Sequence, residues 1–94
     1  MNNLQKLIRL RGLTIKAVAD DTGLGYHSVQ KNVKGIRDTY GVQEAIARSL
    51  NLDVNQAFGS GSDRYLKEHI KTAIKHRTEQ HRVELSEQYL RNAA

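Results

Sequence analysis

The sequence predicts an all-α chain, and three observations carry that expectation. Aromatic residues make up only 5% of the 94 positions, so a core must be built from Leu, Ile, Val and Ala, which favours helices over a β-sandwich. Apolar residues recur three and four positions apart along most of the chain, the period of a helix with one buried face. Proline is absent, and glycines fall between the periodic stretches, where they serve to end helices.

Each element can be justified in turn. Leu4, Leu7 and Ile8 form the apolar stripe of a first helix, which Gly12 stops after Arg11. Thr14 is placed to cap a second helix whose inner face holds Ile15, Val18, Ala19 and Thr22. Gly23 supplies a positive-φ position, and Leu24, between two glycines, plugs the turn. A third helix is expected from Tyr26 to Lys34, ending at Gly35. Asp38 or Thr39 caps a fourth, with Val42, Ala45, Ile46 and Leu50 inward. Asp53 then caps a short fifth turn that buries Val54 and Phe58. Residues 1–58 thus read as a five-helix domain, residues 59–62 (Gly-Ser-Gly-Ser) as a linker and residues 63–94 as an additional C-terminal helix.

Composition narrows the function classes. The absence of cysteine removes disulfides, thiolate catalysis and cysteine-based zinc sites. No apolar run approaches the roughly 18 residues that a membrane span needs, and the N-terminus lacks a signal-peptide core. A cytoplasmic location is the expectation. The formal charge of +5 attracts polyanions without specifying which. Residues 1–58 contribute +3 and residues 59–94 contribute +2, so the placement of Lys31, Lys34 and Arg37 says more than the total.

The most informative run is VADDTGLGYHSVQKNVKG, residues 18–35: a short helix, a glycine-marked turn and a second short helix. That pattern is a helix-turn-helix, whose second helix lies in the major groove of DNA. On a wheel, Tyr26, His27, Gln30, Lys31 and Lys34 share an arc of roughly 140°. Val29 and Val33 lie opposite, on the packing side. Gln pairs bidentately with an adenine edge, Lys reaches guanine or phosphate, and His and Tyr bond or pack on a thymine methyl. Tyr26, His27, Gln30 and Lys31 are therefore the expected base-reading residues. The bland alternative for this arc is an ordinary solvated helix face.

The run VADDTGLGYHSVQKNVKGI, with the later VQEAIARSLNLDVNQAF, resembles the lambda-repressor-like helix-turn-helix superfamily of phage repressors, their Cro counterparts and small bacterial regulators. The likeness covers about residues 4–58. It implies a compact five-helix DNA-binding domain acting as a homodimer on a two-fold-symmetric, double-stranded operator. It implies base contacts from Tyr26, His27, Gln30 and Lys31, and backbone contacts from the loop holding Lys34 and Arg37. Where such domains usually carry glutamine at the start of the second helix, this chain has Ile15, which suits packing. Thr14 and Lys16 remain as phosphate contacts there.

Other constellations carry less. His69 and His76 are seven apart rather than the three or four of a helical metal pair, and His81 adds no such spacing. Gly23-Leu24-Gly25 lacks the Lys-Ser/Thr of a phosphate loop, and adjacent Asp20 and Asp21 point apart. No enzyme, cofactor or metal site is expected. In the C-terminal helix Leu66, Ile70, Ala73 and Ile74 share a side, but the heptad fails at Arg77, Gln80, Glu84 and Glu87, against a long coiled coil. The favoured reading is dimerisation through Leu66, Ile70 and Ile74. The other is that the helix packs on its own domain or recruits another protein, and the whole chain can also be read as a protein-interaction module, antitoxin-like or an adaptor.

Overall fold

The computed structural model describes residues 1–93, the side chains of Tyr89, Asn92 and Ala93 excepted. Among the described residues the chain is all-α, with no strand. Its helices are α1 (Asn3–Leu10), α2 (Ile15–Thr22), α3 (Tyr26–Val33), α4 (Tyr40–Ser49), α5 (Val54–Phe58) and α6 (Ser62–Ala93). No described helix is long and apolar enough to cross a membrane.

Local chemistry accounts for the helix starts. Thr14 Oγ1 accepts from Ala17 N at 3.0 Å and caps α2. Asp53 caps α5 in a capping box with Gln56. Asn2 does the same for α1: its Oδ1 accepts from Gln5 N at 2.8 Å while Gln5 Oε1 accepts from Asn2 N at 2.9 Å. Thr39 precedes α4 without a side-chain cap bond.

One core joins all six helices. Leu4, Leu7 and Ile8 of α1 meet Val18 and Ala19 of α2, Val29 and Val33 of α3, and Ile46, Ala47 and Leu50 of α4. On α4 the buried alanine is Ala47, whereas Ala45 is only half-buried and Val42 packs at the margin. Polar ties brace the helices: Asp21 Oδ2 accepts from Ser49 Oγ at 2.6 Å, and Arg11 donates from its guanidinium to the Leu50 carbonyl at the end of α4.

Residues 59–62, expected as a linker, form a turn that leads directly into α6. Gly59 and Ser62 form a tight turn, with Ser62 N donating to Gly59 O at 3.0 Å and α6 starting at once. Gly59 is demanded by close approach, because a Cβ there would stand 2.5 Å from Asn55 O. Helix α6 runs on directly and inserts Leu66, 2% exposed, into the core that α1 and α5 build. Asn3 Nδ2 donates to Asp63 Oδ1 at 3.2 Å, pinning the two helix starts side by side. The stripe expected for dimerisation is therefore divided. Leu66 belongs to its own domain, Ile70 is half-buried against that core, and Ile74 is 49% exposed. Burying one leucine gains about 1.5–3 kcal/mol, enough to dock a helix that a tether would leave free.

Candidate nucleic-acid interface

The α2–α3 unit is set by its turn. Gly23 sits in the left-handed region at φ 71, with its N–H donating to Asp20 O. Leu24 is half-buried against the core, its N bonded to Thr22 Oγ1 at 3.4 Å. Gly25 precedes α3 and offers no side-chain cap, so no side chain covers the positive end of the helix.

Helix α3 is divided lengthwise. Val29, Val33 and Asn32 are buried, while Tyr26, His27 and Lys31 are exposed and Gln30 is half-buried. Gln30 Nε2 donates to Tyr26 Oη at 3.4 Å, and the Tyr26 and His27 rings meet edge to face with centroids 5.6 Å apart. These four side chains share the outer surface of one helix.

Asn32, which the sequence does not mark out, fixes the loop beyond the helix. It is the one polar side chain in the core among the described residues, 1% exposed. Its Nδ2 donates to Ser28 O at 2.8 Å, and its Oδ1 accepts from Thr39 N at 2.9 Å. The loop between α3 and α4 is thereby pulled against the helix. A Schellman motif closes the same loop: Gly35 at φ 80 donates to Asn32 O, and Ile36 N donates to Lys31 O at 2.9 Å. Asn2 Nδ2 adds a bond to Val33 O at 2.8 Å, so the cap of α1 also caps the end of α3.

That Schellman closure exposes a second residue absent from the sequence-based expectations. The residue at the Ile36 position ordinarily packs on the side chains three and four places into the last turn, here Lys31 and Gln30. Both are polar, and Ile36 is left 73% exposed beside the outer arc. The signal in the sequence is an isoleucine just past a helix-ending glycine with no apolar residue to receive it.

The cations line up along this surface. Lys31, Lys34 and Arg37 are exposed at one end. At the other, Thr14 and Lys16 are exposed and border a cleft of about 340 Å³ with Gln5, Arg9 and Tyr26. Arg9 is thus a further cation on the same side. The only salt bridges among the described residues are Glu44–Arg48 and Glu68–Lys71, so none of the five cations Arg9, Lys16, Lys31, Lys34 and Arg37 is neutralised by a carboxylate. Asp38, the nearest acid in the loop, accepts from Gln43 Nε2 at 2.7 Å. The arrangement offers hydrogen-bonding groups in the middle and unpaired positive charge at both ends, which suits a groove flanked by phosphates.

Elsewhere, His69 is half-buried, His76 and His81 are exposed, and no set of three His, Cys, Asp or Glu among the described residues could hold a metal ion. Comparison of the chain with protein-family models, with curated proteins and with solved structures returned no match.

Proposed function

We propose that this chain is a sequence-specific, double-stranded-DNA-binding regulator of transcription. It has the lambda-repressor-like five-helix arrangement extended by α6, lays α3 in the major groove, and acts in the cytoplasm as a homodimer on an operator of approximate two-fold symmetry. Repression of the phage or prophage kind is the mode this surface suits, since it has only to occupy its site. The reaction chemistry of an enzyme plays no part in the proposal.

One observation carries it: the outer arc of α3 is polar and its cations have no carboxylate partner, while Val29, Asn32 and Val33 of its inner arc are buried, and the loop bearing Lys34 and Arg37 is fastened to it by Asn32. In this reading Tyr26, His27, Gln30 and Lys31 meet base edges, Thr14, Lys16, Lys34 and Arg37 meet phosphates, and Ile36 packs on the groove wall. A rigid probe matters because side chains already ordered lose little further entropy on binding.

Selection from a randomised duplex pool, followed by gel shifts at rising salt, tests the proposal. An enriched, roughly palindromic sequence is expected. Gln30→Ala should weaken its binding by about 1–3 kcal/mol and relax the preference at one base pair per half-site. A pool with no enriched sequence would favour a protein-interaction module and overturn the reading.

A further inference from the structure

The cleft beside the start of α2 is built by two local motifs in immediate succession. Helix α1 closes in a Schellman turn: Gly12, at φ 73, donates its N–H to Arg9 O, and Leu13 N donates to Ile8 O, both at 3.0 Å. Thr14 then caps α2. Each residue from Arg11 to Thr14 is held by one of these bonds or by the bond from Arg11 N to Leu7 O, so the cleft stands preformed. Its volume of about 340 Å³ lies near the low end of the roughly 300–1,000 Å³ that small-molecule sites occupy.

The lining is of two kinds. Ile8, Leu13, Ile15 and Tyr26 supply apolar surface. A Schellman turn ordinarily covers the residue at the Leu13 position with the one at Ile8, yet Leu13 stays 38% exposed and Tyr26 42%. Arg9 and Lys16 line the same cleft and are exposed. No carboxylate pairs with either, and no aspartate or glutamate among the described residues lines the cleft. A phosphate of the duplex needs the cations alone. The apolar walls are left without a partner by that contact.

We infer that this cleft binds a small amphipathic carboxylate, an apolar body with one acid group, and that the bound acid and duplex DNA exclude each other. The apolar body displaces water from Leu13, Ile15 and the Tyr26 ring. The carboxylate meets Arg9, whose guanidinium matches it bidentately, and Lys16 adds a second positive charge. A phosphomonoester carries a further charge whose desolvation the apolar walls penalise. A neutral apolar molecule leaves both cations unused. The exclusion follows from shared residues, because Thr14, Lys16 and Tyr26 line the cleft and are also assigned to the duplex. It rests on the proposed DNA contacts, whereas the binding of the acid does not.

Phenylacetate is the probe. Titrated into the chain without DNA, it should shift the amide resonances of Arg9, Leu13, Ile15 and Lys16 saturably, with a dissociation constant on the order of 1 mM. Acetate lacks the apolar body and phenylethanol lacks the charge, so each should bind at least about fivefold more weakly. Leu13→Ser and Arg9→Gln should each weaken phenylacetate by about the same factor, with thermal unfolding checking that both variants fold. On a duplex enriched from the randomised pool, phenylacetate at about ten times its dissociation constant should raise the apparent dissociation constant for DNA about tenfold or more over equal sodium acetate. No saturable shift at the cleft, equal binding of phenylethanol, or undiminished binding by both variants would overturn the site, even where DNA binding stands. Unchanged DNA affinity at saturating phenylacetate would overturn the exclusion. A pool with no enriched duplex would strike the DNA reading and the exclusion with it, and the titration would still decide the site.

Discussion

Helices α3 and α6 are held in opposite ways. Helix α3 has eight residues and is fastened along its length: Val29 and Val33 in the core, Asn32 to Ser28 and Thr39, Asn2 to its last carbonyl, and a Schellman closure at Gly35. Helix α6 has 32 residues and is fastened only near its start. The difference separates two uses of a polar helix surface. Where both ends and the inner face are tied, the outer side chains are presented on a fixed frame, which suits reading a rigid duplex. Where one end is tied and the rest stands free, the surface has yet to be completed by something else.

The largest effect expected from this contrast concerns the base of α6. Leu66→Ala should cost about 2–5 kcal/mol in urea unfolding, the usual range for emptying a leucine site in a core. Removing residues 63–94 should cost more, because the α1 and α5 surfaces that cover Leu66 would then face water. A chain cut after Lys75 should unfold at the same urea midpoint as the full one. If residues 1–58 alone match the full chain, the docking of α6 adds nothing to the core and the contrast with α3 narrows.

A smaller effect should come from the fastening of α3 itself. Asn32→Ala strands the Thr39 N–H and the end of the loop, at about 1–3 kcal/mol. Amide hydrogen exchange should speed up at Thr39 and through the loop from Lys34 to Arg37, with little change in α6. Uniform acceleration over the whole domain would mean that Asn32 supports the core at large rather than the probe and its loop.

These two positions also mark where the sequence can and cannot be read. Helix starts are legible at Thr14 and Asp53 because a cap is a local bond between near neighbours, and the turn at Gly23 is legible for the same reason. The outer arc of α3 follows from period alone, and exposure of Tyr26, His27 and Lys31 agrees with it. Asn32 is not legible: an asparagine beside Lys31 looks solvated until the loop from α4 returns to bond it. Periodicity puts Ala45 in the core of α4, yet Ala47 is the buried one, because the neighbours that press on the helix decide between two similar alanines. Leu66 escapes the sequence for a different reason. Glycine and serine announce that the chain can turn at residues 59–62, but they do not say whether the next helix leaves or docks. That depends on apolar surface left open by α1 and α5, the first of which lies far away in sequence.

The finest test of the contrast uses charge. Lys34 and Arg37 are exposed and unpaired, so Lys34→Ala or Arg37→Ala should change stability by less than about 0.5 kcal/mol. If each meets a phosphate, each substitution should weaken binding to all duplexes alike and lower the slope of log affinity against log salt by about 0.9. Arg82→Ala supplies the control, since Arg82 is also an exposed cation, on the distal half of α6. It should leave the slope where it was. A change in sequence preference with Arg37→Ala would move that residue from backbone to base contact and extend the reading surface into the loop. A lowered slope with Arg82→Ala would bring α6 onto the nucleic acid, and the contrast between a fixed probe and a helix fastened only near its start would fall.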